Sequence, residues 1–139
     1  MNLHFPEPMS VSEAKLLNPL KLAYLGDSVW ELLVGSALLA QGLNLRHMHR
    51  EAVARVNARA QAEALGRIAA LLDTEEEDIV RRGRNSHPHH VAPRHQEAAD
   101  YRAATAMEAL MGFLYVTGQE ARLQALFIAS QTEVHSCQK

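Results

Sequence analysis

Apolar residues recur every three or four positions along most of this chain, a period that predicts helices rather than strands. The best-marked run begins at Asn18, whose side chain suits the free N–H groups of a helix start. Pro19 follows at the first helical position, where a missing N–H does no harm. Leu22, Leu25, Val29, Leu32, Leu33 and Leu39, with Ser36 among them, form a stripe ending near Gln41–Gly42. About 22 residues at the helical rise span roughly 33 Å. A second helical region at about 45–71 sets Met48, Ala52, Val56, Ala60, Leu65 and Ile68 against Arg, Glu and Gln, with Gly66 as its expected weak point. Thr74 is placed to cap a short helix whose first turn, Glu75–Glu76–Glu77, favours the positive helix end, and which is predicted to stop before Gly83. Pro88 and Pro93 make 83–96 a loop of a length that invites a functional role. The helical period resumes from Glu97 to about Val116 and, after Thr117–Gly118, over 119–134. Residues 1–14, with Pro6 and Pro8, read as an irregular leader, 15–135 as one domain and 136–139 as a frayed tail. No alternating Val/Ile/Thr strand and no internal repeat is visible, so the fold class is all-α, a helical bundle.

Composition narrows the class. At 139 residues, 47% apolar and 22% charged, the chain suits one core and no second module. The lone Cys137 supplies neither a disulfide framework nor a thiolate zinc site, and fits a reducing compartment. No basic stretch feeds an apolar run near the start, and uninterrupted apolar pieces stay short, so neither secretion nor a membrane span is expected and the expected location is cytoplasmic. A formal net charge of −2 argues against a nucleic-acid partner only if charge is evenly spread. It is not. Residues 81–95, RRGRNSHPHHVAPRH, hold four arginines and four histidines with no acid, directly after the acidic DTEEED at 73–78.

Two acids stand where helices do not favour them. Asp27 follows Gly26 inside the first long helix, and both are poor helix-interior residues. Ala23, Asp27 and Glu31 share a face at four-residue spacing. Glu108 lies in YRAATAMEALMGFLY, a stretch of small and apolar residues, with Gly112 one turn later. If the two helices approach closely at Gly26 and Gly112, Asp27 and Glu108 meet. Paired carboxylates in a partly buried place repel unless a proton or cation separates them, and oxygen ligands of this kind suit Mg²⁺. Mg²⁺ in turn suits phosphodiester chemistry. The plainer reading is that Gly26 permits close packing while Asp27 and Glu31 face water.

Leu25–Gly26–Asp27–Ser28–Val29 resembles the signature helix of the ribonuclease III catalytic domain, and Thr105–Ala106–Met107–Glu108–Ala109–Leu110–Met111–Gly112 resembles its second acidic motif. The roughly 80-residue separation, the Arg82–Gly83–Arg84–Asn85 stretch, the Tyr101–Arg102 lead-in and the lack of an appended domain resemble its stand-alone short branch, the Mini-ribonuclease III family. The resemblance runs from about Asn18 to Phe127. It implies a homodimeric endoribonuclease that uses Mg²⁺, with Mn²⁺ as a substitute, to cut double-stranded RNA into 5′-phosphate and 3′-hydroxyl ends. It also implies maturation of large-subunit (23S) ribosomal RNA precursor, with a ribosomal protein on the substrate as a candidate assistant. Asp27 and Glu108 match the catalytic, metal-holding pair. Ala23 and Thr105 stand where full-length ribonuclease III has two further acids, which leaves Glu31, or Thr105 through water, as candidate helpers.

With no second module, the domain must grip the duplex itself, through phosphates and 2′-hydroxyls. Arg81, Arg82, Arg84 and Arg94 are the expected phosphate contacts and Asn85 a 2′-hydroxyl partner. Arg46, Arg50, Arg55 and Arg59 form a second candidate stripe, although Glu51 and Glu63 allow a salt-bridged face instead. His87, His89, His90 and His95 sit on a proline-containing loop without the fixed spacing of a helical metal site, and are read as pH-dependent charge near RNA. Trp30, Tyr24, Met107 and Phe113 are expected in core or dimer packing. The rival from another class is a non-catalytic duplex-RNA or ribosome-associated binding protein on the same scaffold, and the blandest is a helical dimerisation module.

Overall fold

A computed structural model of the chain describes residues 6–86 and 95–132. Its helices are α1 (Val11–Lys15), α2 (Pro19–Ala40), α3 (Leu45–Val56), α4 (Ala58–Ile68), α5 (Thr74–Asn85), α6 (His95–Val116) and α7 (Glu120–Ser130), with a 3₁₀ turn at Ala69–Leu71. The all-α expectation holds among the described residues.

Helix α6 is the axle. Ala103, Ala104, Ala106, Met107, Ala109, Leu110, Met111, Phe113 and Leu114 are all buried, so nearly its whole circumference is covered, as an apolar helix at the centre of a bundle must be. Helices α2, α4, α5 and α7 pack around it. Trp30 of α2 closes the far side: its ring meets Phe127 edge-on at 5.3 Å, and its indole N–H donates to the Arg55 carbonyl at 2.9 Å.

Several boundaries differ from the expectations, each for a visible reason. The leader is not irregular to residue 14. Ser10 caps α1 by accepting from the Glu13 N–H, Ala14 is fully buried, and the Met9 N–H donates to the Val116 carbonyl at 2.7 Å, so this segment belongs to the domain. The break in 45–71 falls at Asn57, not Gly66. Asn57 is extended, its amide donates back to Val53 at 3.1 Å, and its side-chain oxygen accepts from Ala60 at 2.9 Å, so one residue closes α3 and opens α4. Helix α5 runs through Gly83 to Asn85, because that glycine lies against α6, where a Cβ would come within 3.0 Å of the Ala106 Cα. Helix α6 begins at His95 rather than Glu97, and α7 ends at Ser130, short of 134. Residues 87–94, the middle of the expected 83–96 loop, and 133–139 lie outside the described residues.

The apolar stripe on α2 also needs correction. Its buried side is Leu22, Ala23, Gly26, Val29, Trp30, Val34 and Leu38, while Leu32 and Leu39 are exposed and Tyr24 is 85% exposed. By length and composition α2 is apolar enough to cross a membrane, which the run-length expectation missed. In the fold it is the main partner of α6.

A second corner is held by charge. Asp73 and Glu76 form a reciprocal capping box at the start of α5, and the Glu76 carboxylate, 1% exposed, accepts from Arg122 of α7 at 2.7 and 2.8 Å. The Arg122 hydrogen bond holds the Glu76 carboxyl below its ordinary value despite burial. Stability from this pair is therefore present above the ordinary glutamate pKa and lost as pH falls through the folded value. Arg122→Ala is expected to cost about 3 kcal/mol, since it leaves a buried carboxylate without its partner. Urea unfolding at neutral pH would show this, and the gap from the parent protein should shrink in acid.

Candidate active site

The site is created by a backbone contact. A Cβ at Gly26 would lie 1.7 Å from the Glu108 carbonyl oxygen, and one at Gly112 would lie 2.0 Å from the Leu22 carbonyl oxygen, so α2 and α6 touch where only hydrogen fits. Asp27 and Glu108 each sit beside that contact, and the Asp27 carboxyl comes within hydrogen-bonding reach of Glu108. Asp27 and Glu31 are exposed and Glu108 is half-buried, which makes this a pair with one solvent-facing and one sheltered carboxyl. The proximity expected from two glycines one contact apart is thus present.

Electrostatics at Glu108 follow from that placement. Burial pushes its pKa up first, the hydrogen bond and charge of Asp27 push it further, and Glu31 adds repulsion, which together carry it to about 8. Opposing them is Gln61 of α4, 2% exposed, whose amide donates to the Glu108 Oε2 at 3.5 Å. Gln61 was not singled out among the sequence candidates. The available signal was its register: it shares the inward phase of Leu65 and Ile68 and is the polar residue on that face.

A carboxylate pair that retains a proton near neutral pH in the absence of a cation is a fitting donor set for a hard divalent ion, and Asp27 and Glu108 would hold it. Among the described residues no group of three Asp, Glu, His or Cys side chains converges as a ready metal cage, so water or substrate oxygens would complete the shell. Glu31 is near enough to act on Glu108 by charge. Thr105 is buried and its hydroxyl donates to the Tyr101 carbonyl at 3.0 Å, so its proton serves its own helix. Ala23, in the place of an acid, faces the core.

The expected RNA-contact residues divide. Arg82 is half-buried, and its guanidinium donates to the Lys15 carbonyl at 2.8 Å and the Leu17 carbonyl at 3.2 Å, tying α5 to the α1–α2 connection. Two of its N–H groups thus close the end of α1. Arg81 pairs with Asp78. Arg84 and Asn85 are exposed, and Arg94 lies outside the described residues. On the second stripe Arg55 bonds Glu51 at 3.3 Å and Thr132 at 3.1 Å, while Arg46, Arg50 and Arg59 are exposed, Arg59 pairing with Glu63 at 3.2 Å. His87, His89 and His90 fall outside the described residues, as does the side chain of His95. Trp30, Met107 and Phe113 are core, whereas Tyr24 is not.

The ribonuclease III domain model matches residues 20–119. The chain is 42% identical over 123 residues to a Mini-ribonuclease 3 of Symbiobacterium thermophilum, covering 88% of this chain and 94% of that one. To a Mini-ribonuclease 3 of Thermoanaerobacter it is 45% identical over 109 residues, 78% of this chain and 76% of the relative. A crystal structure of a Fusobacterium nucleatum protein superposes with a TM-score of 0.70 at 33% identity, covering 78% of this chain and 88% of that one. With a matched domain over residues 20–119 and relatives above 40% identity over most of its length, the chain belongs to the ribonuclease III family, in its Mini-ribonuclease 3 branch.

Proposed function

We propose that the chain is a Mg²⁺-dependent endoribonuclease that hydrolyses double-stranded RNA, with the large-subunit (23S) ribosomal RNA precursor as substrate and 5′-phosphate and 3′-hydroxyl ends as products. The observation that carries this reading is the juxtaposition of Asp27 with a sheltered Glu108 whose pKa stands at about 8, a pair poised to exchange a proton for a cation. Bound there, Mg²⁺ supplies positive charge against the phosphate and acidity for water. Asp27 and Glu108 hold the ion, the Gly26–Gly112 contact fixes their spacing, and the exposure of Asp27 leaves that side open to a phosphodiester. Glu31 adds negative potential at the rim.

In this reading two copies act together. Tyr24, Leu32 and Leu39 are exposed apolar side chains along α2, and a second copy of the chain is their proposed cover. The same reading places the protein in the cytoplasm, with its RNA precursor, and draws the duplex across Arg84 and Asn85, with Arg94 and Arg46–Arg50 as further contacts. Arg84→Ala should then weaken duplex affinity and reduce its salt slope by about one. By contrast, Arg82→Met should chiefly lower the melting temperature, with an expected loss of about 2 kcal/mol from two orphaned carbonyls. Filter binding at several salt concentrations alongside thermal melts separates the two roles.

The test of the function is incubation of the purified protein with a long RNA duplex and with precursor ribosomal RNA. Cleavage in Mg²⁺ but not in EDTA, yielding 5′-phosphorylated ends, is the expected result. Tight binding without cleavage would favour the non-catalytic RNA-binding alternative.

A further inference from the structure

Helix α4 contributes no acid to the site, yet it places a buried amide against one. Gln61 is 2% exposed, in the same phase as Ala64, Leu65 and Ile68, and its Nε2 donates to the Glu108 Oε2 at a long 3.5 Å. Its place is set one turn earlier. Asn57 caps the start of α4, and the Gln61 N–H donates to the Asn57 carbonyl at 3.0 Å, so the α3–α4 joint determines where the amide reaches α6.

We infer that Gln61 is a positioning residue for the reaction: its buried amide orients the Glu108 carboxylate so that the remaining oxygen lone pairs converge with Asp27 on the divalent cation.

The inference rests on the reading of Asp27 and Glu108 as the metal-holding pair. Chemistry explains why glutamine suits the position. A carboxylate that binds an ion is usually fixed by an outer hydrogen bond, and losing such a partner typically weakens metal affinity or activity about 10- to 100-fold. A lysine or arginine would give the same bond but bring a positive charge that competes with the cation. A glutamate would add a third repelling carboxylate to the metal-free site. A neutral donor holds the carboxylate while leaving its charge for the ion.

The test compares the parent protein with Gln61→Met, which keeps side-chain length and apolar packing but donates nothing. Mn²⁺ affinity is measured without RNA, by electron paramagnetic resonance, and kcat and KM are measured on a long RNA duplex in Mg²⁺. About 10-fold weaker Mn²⁺ binding and about 10-fold lower kcat, with an unchanged KM for the duplex, is expected. A folded Gln61→Met protein with parental Mn²⁺ affinity and kcat overturns the proposal. Should that variant fail to fold, Gln61→Leu decides: it too gives Glu108 no donor, so the Mn²⁺-induced rise in melting temperature is expected to be smaller than in the parent protein, and a rise equal to the parent's overturns the proposal. Asp27→Asn is measured in parallel. If it loses Mn²⁺ binding and cleavage while Gln61→Met keeps both, only the role of Gln61 fails. If Asp27→Asn keeps both, the metal-pair reading fails and takes this inference with it.

Discussion

Gly26→Ala is expected to separate the two central helices and destabilise the protein by at least about 3 kcal/mol, at or beyond the upper end of ordinary overpacking. The reason is geometric. The added methyl would meet the Glu108 carbonyl oxygen at 1.7 Å, the Glu108 carbonyl carbon at 2.6 Å and the Gly112 N at 2.9 Å, all backbone atoms that cannot rotate away. A domain with only about 5–15 kcal/mol of total stability feels such a loss strongly. Gly112→Ala should behave alike, because its Cβ would lie 2.0 Å from the Leu22 carbonyl oxygen. Gly66→Ala is the control. No atom lies within 4 Å of its Cβ position, so it should be neutral or stabilising by up to about 1 kcal/mol from helix propensity alone. Chemical denaturation of the three variants checks the contrast. Any Gly26→Ala protein that does fold should cleave poorly, because the contact that widens is the one that spaces the acids.

Glu108→Gln should separate stability from activity. In the metal-free protein, the Glu108 pKa of about 8 exceeds the ordinary 4.5, so the folded chain keeps a proton that the unfolded chain has released. The folded state therefore binds more protons across that window, and stability declines as pH rises from about 4.5 towards 8. Glutamine has no proton to lose. The variant should match the parent protein near pH 4.5 in EDTA and melt higher than it at pH 8. Its cleavage should fall by at least about 100-fold, the scale on which loss of a preorganised charge-stabilising group is felt. Mg²⁺ should raise the parent protein's melting temperature more at pH 8 than at pH 5, because a cation takes the place of the proton, and should do little for the variant. Thermal melts across pH, with and without Mg²⁺, read all three effects.

The features legible from sequence were those with a local chemical signature. Asn18–Pro19 marks the start of α2 to the residue, because capping and the missing proline N–H act within one turn. The juxtaposition of Asp27 with Glu108 was legible because two glycines inside apolar helices imply an approach that other residues forbid. What escaped depends on partners far along the chain. Arg82 looks like one more cation in a basic run, and only the fold shows that Lys15 and Leu17 carbonyls occupy it. Asn57 looks helical by phase, yet its side chain bonds to both flanking helices at once. Leu32 and Leu39 fit a three-to-four spacing as well as the buried residues do, since α2 carries apolar side chains on two faces and period alone does not say which one is covered. Gln61 shows the same limit: its inward phase is readable, but the carboxyl it reaches belongs to a helix 47 positions away.

A side-by-side cleavage assay of the parent protein and Asp27→Asn bears on the acid pair without intermediaries. Both are purified, shown to share melting behaviour in EDTA and duplex affinity in Ca²⁺, then given precursor ribosomal RNA in Mg²⁺. The parent protein should cut, and Asp27→Asn should bind the same RNA while cutting at least about 100-fold more slowly. Equal cleavage by the two would contradict the assignment of Asp27 and Glu108 as the pair that holds the ion.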